Sequence, residues 1–286
     1  MQNILDRGWQ RCAFSVLAIC IFCSVSAEPQ QAEKGGPEDS TIEIVAEAWL
    51  QQLKGTLHGG NGNLEIDLQR DLHFERQYNF LGIFNWRFAR KHHLIFEGNP
   101  SKAERTTTLQ RTITFRGQTF TAGAAARTEI ETNHFYPQYQ YNFILRRRGH
   151  LGLNLGVDLF HINARIEGIG GTSGPGGTQL VTQTASGSLF AGLPTGGFEG
   201  RVFPIPGHDW LDVNGHVRGM YFFGYGKYLE TRLNGEVRLG PHLGAQGGYQ
   251  FVRETEVHNK ASDLNANEIG LVFKYYGPLV GLTMRW

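Results

Sequence analysis

The sequence predicts an all-β chain, closed into an antiparallel transmembrane β-barrel of about 10–12 strands. Three observations predict it. Apolar or small residues alternate with polar ones over many separate stretches, the two-residue period of a strand whose successive side chains point to opposite faces. Beyond residue 27 there is no run of 18 apolar residues, so helices do not supply the spans. The outermost apolar residues of several stretches are aromatic, Tyr221, Phe223, Tyr275 and Tyr276 among them, which suits the interfacial girdles of a membrane barrel.

Taken in chain order, the first element is an export signal. Arg7 and Arg11 precede the apolar run from Cys12 to Cys23, and Val25-Ser26-Ala27 supplies small residues for cleavage. Residues 1–27 therefore read as a secretory signal peptide. The run is too short to cross ~30 Å of hydrocarbon comfortably. Ile19 and Phe22 precede Cys20 and Cys23, where a lipoprotein signal needs a small residue, so no lipid anchor is expected. Residues 28–40, polar and without period, read as a disordered leader, and residues 41–286 as the barrel.

Within the barrel, strands are expected at Ile42–Gln51, Phe80–Phe88, Phe135–Phe143, Leu151–Leu159, Phe198–Val202, Leu211–Phe223, Leu229–Leu239, Leu243–Phe251 and Ile269–Tyr275, with a last one over Val280–Trp286. The clearest is Leu229–Leu239. Leu229, Thr231, Leu233, Gly235, Val237 and Leu239 share one face, and Glu230, Arg232, Asn234, Glu236 and Arg238 the other. Breakers at Arg148-Gly149, at Pro206-Gly207-His208-Asp209, at Gly240-Pro241 and at Gly277-Pro278 mark turns between antiparallel neighbours. The strand count depends on whether Leu64–Phe74 and Leu94–Glu131 contribute. The glycine-rich stretch Gly168–Gly177 reads as a loop. With a turn at Gly277-Pro278, the tight turns fall outside the cell and the glycine-rich loop inside, the reverse of the usual arrangement.

Composition narrows the partners. Without the signal peptide, 25 basic residues face 25 acidic ones among 259, and no cysteine remains. A neutral chain lacks the surplus of Lys and Arg that phosphate backbones require, so nucleic acid is not an expected partner. Glycine, at 37 of those 259 residues, is about twice its usual share of ~7%, as turns and close backbone approaches demand.

The last stretch sets Val280, Leu282, Met284 and the final aromatic Trp286 against Gly281, Thr283 and Arg285. It resembles the assembly signal of bacterial outer-membrane β-barrel proteins. Segments Thr114–Gly123, Tyr139–Phe143, Leu151–Val157 and Tyr275–Pro278 are similar to those of a group of uncharacterised outer-membrane barrels. The resemblance implies a closed barrel in the outer membrane of a Gram-negative bacterium, with outer-membrane lipids and the barrel-insertion machinery as partners. It implies no activity, no catalytic residue and no cofactor.

With Leu229 and its companions toward lipid, the opposite face lines the lumen. The lumen-lining candidates are Glu43, Glu47, Arg87, Asp158, Glu199, Arg201, Asp212, His216, Arg218, Glu230, Arg232, Glu236, Arg238, Glu268 and Lys274, with Arg285 beside them. Such a balanced lumen carries little net field and predicts no strong ion selectivity. Its charges either pair across strands and hold the barrel shut, or leave a narrow channel for small solutes. The expected role is thus a small-solute channel or a structural and surface barrel.

Two other classes of protein share parts of this pattern. A barrel enzyme acting on lipid or ester substrates would need a base among His134, His161 and His216, an orienting Asp158 or Asp212, and Ser186 or Ser188 as nucleophile. No Gly-x-Ser-x-Gly elbow ties them together. A soluble exported barrel would turn the same alternation inward to bind a small apolar ligand. His92 and His93 fall on opposite faces of a strand, so no metal site is expected. Arg146-Arg147-Arg148 with His150 forms a basic cluster suited to lipid phosphates or a solvated turn.

Overall fold

The computed structural model describes residues 40–58, 65–74, 76–174, 177–222, 226–257 and 270–286. The expected signal peptide and nearly all of the expected leader lie outside the described residues. Among the described residues thirteen strands follow one another: β1 (Ile42–His58), β2 (Ile66–Asp67), β3 (Arg76–Ala89), β4 (His92–Thr108), β5 (Ile113–Phe115), β6 (Gln118–Phe120), β7 (Ala125–Arg146), β8 (Gly149–Gly174), β9 (Gly177–Val202), β10 (Leu211–Phe222), β11 (Gly226–Arg238), β12 (Leu243–Val257) and β13 (Gly270–Arg285). Ten of them form a ring in the order β8-β7-β4-β3-β1-β13-β12-β11-β10-β9, closed by the pairing of β9 with β8. Every pairing is antiparallel, and closure leaves the ring no open edge. The small strands lie off the ring: β2 pairs with β1, and the β5–β6 hairpin meets β8 through Phe120 opposite Gly170.

Two sequence expectations are corrected here, and one correction resolves the turn paradox. Gly277 and Pro278 lie inside β13, where Tyr249 of β12 pairs with Pro278. They mark no turn because Gly277 serves close approach instead: a Cβ there would lie 1.9 Å from the Leu50 carbonyl oxygen. The Trp49 indole N–H donates to the Gly277 carbonyl at 3.2 Å. With this false turn removed, the connections at 90–91, 147–148, 203–210 and 239–242 all fall at the end where Thr41 meets Trp286. That turn end carries connections of two to eight residues, and the three longest connections, β1 to β3, β4 to β7 and β12 to β13, fall at the opposite, loop end, as in other membrane barrels. The second correction concerns the glycine-rich stretch. Up to Gly174 it is strand rather than loop: β8 continues that far and β9 begins at Gly177, with Gly170 opposite Val181 and Gly174 opposite Gly177, while residues 175–176 lie outside the described residues.

The outward face tells where lipid lies. On β8 the outward residues Leu151, Leu153, Leu155, Val157 and Leu159 form a nine-residue apolar stretch, and Phe135–Phe143 does the same on β7. Each matches the ~9–11 residues a tilted strand needs to cross hydrocarbon. Phe80 is 71% exposed and Leu233 and Val280 63% each, a density of bare apolar side chains that only lipid can cover. The soluble-barrel alternative therefore falls.

At one registered row the pattern reverses. Pro100, Asn133, His161 and Phe190 are linked neighbours on β4, β7, β8 and β9. Beyond them the outward residues become Lys102 and Glu104, Glu131 and Glu129, Asn163 and Arg165, Ser188 and Ser186. The inward face there turns apolar, with Ala103, Ile130, Ile162, Ala164, Ile166 and Ala185 buried. Four strands thus project past the membrane as a water-facing sheet with its apolar side inward.

Candidate functional site

Inside the membrane band, alternation sends polar side chains into the lumen, where they must satisfy one another. Glu97 on β4 is the hub. It takes two hydrogen bonds from the Arg218 guanidinium on β10, at 2.9 and 3.0 Å, and one from Arg232 on β11 at 3.0 Å. Strands β4 and β11 lie five places apart in a ring of ten, so the Glu97–Arg232 pair crosses the full lumen. Arg218 also reaches Glu230 at 2.8 Å, and Arg232 reaches Glu47 at 3.3 Å. His216 Nε2 lies 2.8 Å from Glu230, and the Arg218 guanidinium stacks 3.9 Å over the Tyr136 ring. Arg218 is 4% exposed and Glu230 1%.

A second bridge lies nearer the turn end. Glu43 of β1 accepts from Arg201 of β9 at 2.8 Å and from Arg285 of β13 at 2.7 Å. Strands β1 and β9 also face each other across the ring. Arg285 continues to Glu236 through both terminal nitrogens, and Arg201 lies 3.7 Å from Asp212. Glu97 lines both a cavity above its bridge, with His134, Asp158, Tyr228 and Tyr275, and a cavity below it, with Asn85, Glu199 and Gln246. The bridge layer is the partition between them.

Above the upper cavity an apolar plug fills the loop end. Ile113, Phe115 and Phe120 of the β5–β6 hairpin, and Ile66, Leu68, Leu72 and Phe74 of the segment after β1, are buried against Leu53, Leu57, Ile162 and Ile166. The hairpin turns at Arg116-Gly117, both at positive φ, 54° and 74°, the conformation of a two-residue turn of type I′. Asp71 latches the other segment: Arg111 donates to its carboxylate at 2.6 and 2.9 Å, and the Asp67 N–H donates at 2.8 Å. Burial raises the Asp71 pKa. Hydrogen bonds from Arg111, Arg70 and the Asp67 backbone more than offset this, and the carboxyl sits well below the usual carboxylate range.

Glu43, Glu47, Asp158, Asp212, Arg218, Glu230, Arg232 and Glu236 are buried inside, and Arg87, Glu199, Arg201, His216 and Arg238 are inward and half-buried. Glu268 lies outside the described residues. Lys274 is a correction: it points outward and is exposed, while Phe273 and Tyr275 are buried. The false turn at Gly277-Pro278 broke one strand into two and let the earlier half take the wrong phase, and a slip of one residue exchanges the faces. Val280, Leu282, Met284 and Trp286 all point outward.

Sequence reasoning missed Glu97. It follows the continuous apolar run Leu94-Ile95-Phe96, which hides the phase of its strand. Equal spacing on either side of the Arg90-Lys91 turn would set it opposite the outward Phe84, but a bulge between Arg87 and Ala89 shifts the register and pairs it with Ile83. Of the proposed catalytic groups, His134 and Asp158 do meet, at 3.3 Å. Ser186 and Ser188 do not join them: both lie outward on the projecting part of β9, on the other side of the sheet. His161 points outward, and His216 pairs with Glu230 rather than with Asp212. His92 stacks outward among Tyr139 and Tyr141, while His93 turns inward to Asn85 and Asn142. Among the described residues no group of three His, Cys, Asp or Glu is placed to hold a metal ion.

A closed ring of ten strands with lipid-facing apolar residues and a polar interior is the fold of a bacterial outer-membrane β-barrel. One solved structure agrees. The fold is similar to the crystal structure of the outer membrane protease OmpT from Escherichia coli, with TM-score 0.55 and 13% identity over 89% of this chain and 99% of that one. The transport unit of the autotransporter AIDA-I from Escherichia coli also matches, with TM-score 0.40, 9% identity, and coverage of 92% and 96%. So does the translocator domain of the autotransporter NalP from Neisseria meningitidis, with TM-score 0.37, 11% identity, and coverage of 99% and 98%. No family model and no curated protein matches the chain.

Proposed function

We propose that this outer-membrane barrel is closed to solutes and serves as a rigid mount for the sheet that projects beyond the membrane, a structural and surface role rather than a channel. The carrying observation is the double charge bridge, Glu97–Arg232 and Glu43–Arg201, each joining strands on opposite sides of the ring. A solute crossing the lumen would have to part buried ion pairs at both levels, at several kcal/mol for each charge left alone. The plug of Phe115, Phe120 and Leu68 adds an apolar stopper above. The test is a planar bilayer recording of the refolded chain beside a variant carrying Glu97→Ala and Glu43→Ala. The native chain is expected to be silent and the double variant to open discrete conductance steps. Steady native conductance at neutral pH sinks the proposal.

A second reading, a barrel enzyme, is favoured by one observation. His134 and Asp158 form a base and its orienting carboxylate at the wall of the upper cavity, and a water held there would be the nucleophile. The structure of similar topology from Escherichia coli bears the name of a protease. Turnover of peptide or ester substrates that disappears in His134→Ala supports this reading, and turnover unaffected by that change removes it.

A further inference from the structure

The outward charges at the loop end differ from one side of the barrel to the other. On the projecting sheet they are mixed and paired: Lys102 contacts Glu129 and Glu131, Arg127 contacts Glu104, and Arg165 contacts Glu167. On the other side, Lys54 of β1 is directly opposite Lys274 of β13, and Lys274 is directly opposite Arg253 of β12. Neighbouring strands are ≈ 4.7–4.9 Å apart, so the backbones of these cations fall within about 10 Å. Lys274 and Arg253 are exposed and Lys54 half-buried. Among the described residues, no Asp or Glu points outward on β1, on β13, or on β12 up to Arg253.

The depth of the row identifies what it meets. The outward row immediately toward the turn end is Gln52, Tyr276 and Phe251, again directly registered. Below it come Leu50, Pro278 and Tyr249, on the lipid-facing surface. Tyr276 and Phe251 therefore sit where aromatic side chains meet the edge of the hydrocarbon, and the cations stand one pleat further out, roughly 7 Å along the strand. That is headgroup depth. Lys54 lies 5.5 Å over the Tyr276 ring, a cation–π contact that holds it against the interfacial aromatic.

We propose that Lys54, Lys274 and Arg253 form a binding site for the phosphate of a membrane-lipid headgroup at the loop end of the barrel. The inference rests on the membrane placement of the fold, not on whether the lumen conducts. Like charges this close repel one another, and an anionic phosphate bridging them relieves the repulsion. Arg253 supplies a planar fork for two phosphate oxygens and the lysines supply point charges.

The test uses the full chain in phosphatidylcholine nanodiscs, with and without phosphatidic acid as the phosphate-bearing probe, and counts retained lipid by native mass spectrometry. The native chain is expected to enrich phosphatidic acid. The combined variant Lys54→Gln, Lys274→Gln and Arg253→Gln is expected to lose roughly 100-fold in that preference, about one decade or less per cation. Lys102→Gln, on the ion-paired side, is expected to keep it. Undiminished preference in the combined variant overturns the site. Inorganic phosphate that displaces the lipid at equal concentration overturns the lipid assignment, leaving a simple anion site. If the combined variant does not fold, the native chain still decides: enrichment must fall steeply with salt, and salt-independent enrichment overturns the proposal. Failure of the native chain to enter nanodiscs at all contradicts the membrane placement instead, so the two failures are distinguishable.

Discussion

The membrane band and the projecting sheet share strands β4, β7, β8 and β9, yet they obey opposite rules. Along β8, Leu151 to Leu159 face outward with Asn154 and Asp158 buried between them; beyond His161, Asn163 and Arg165 face outward with Ile162, Ala164 and Ile166 buried. One strand thus carries a membrane-protein pattern for its first part and a soluble-protein pattern for the rest. The solvent outside changes from lipid to water, and the interior changes with it. In the band the interior is held by charges, since water-like groups facing inward must pair. In the projection it is held by apolar burial, at ~1.5–3 kcal/mol for each large side chain.

The largest break in this comparison is expected from Phe120→Ala, which removes a fully buried ring from the plug. A cost of about 3–5 kcal/mol is expected, read as a lower urea midpoint together with new protease sensitivity of the β5–β6 hairpin. Glu97→Ala should come close behind, at about 3–5 kcal/mol less whatever Arg218 and Arg232 recover from Glu230 and Glu47. Its mark differs: the plug stays protease-resistant while the heat needed to unfold the barrel on a gel falls. Replacing Glu97 and Arg232 together with methionines should regain much of the loss, because no lone charge then stays buried. If the pair of changes is as damaging as Glu97→Ala, the bridge is not what holds the band.

The sign of the pH effect on the projection follows from Asp71. Its folded pKa is depressed, so the latch stabilises above the unfolded value of ~3.9 and the stabilisation is lost as pH falls toward the folded value. The segment 65–74 is expected to resist proteolysis from neutral pH down to about pH 4 and to loosen below it. Arg111→Ala should make the same segment cleavable at neutral pH. The smallest effect belongs to Lys102→Ala on the water-facing sheet, within about 0.5 kcal/mol, measurable as a nearly unchanged urea midpoint.

How much of this was legible in the sequence depends on whether a strand declares its phase. Leu229–Leu239 and Leu151–Leu159 alternate cleanly, and the structure puts their charged or polar faces inside, so the band and most lumen residues could be read directly. Lys274 was misplaced because Gly277-Pro278 looks like punctuation, when the glycine is needed to let β1 approach. Glu97, the hub of the upper bridge, was hidden by an unbroken apolar run. The reversal beyond His161 was invisible for a different reason. A period of two is the same whichever face is apolar, and only the plug shows that Ile162 and Ile166 have exchanged roles with Leu155 and Val157. Which charges pair across the ring depends on closure, a property of ten strands together that no single stretch records.

The reversal along β8 can be tested most directly by cysteine labelling, because the sequence has no cysteine after Cys23. Single cysteines at Leu153, Val157, Asn163 and Arg165 in the refolded, membrane-inserted chain would be exposed to a water-soluble maleimide. The account predicts protection at Leu153 and Val157 and rapid labelling at Asn163 and Arg165. Equal labelling at all four positions would contradict it, since the outward face would then meet one solvent along its whole length.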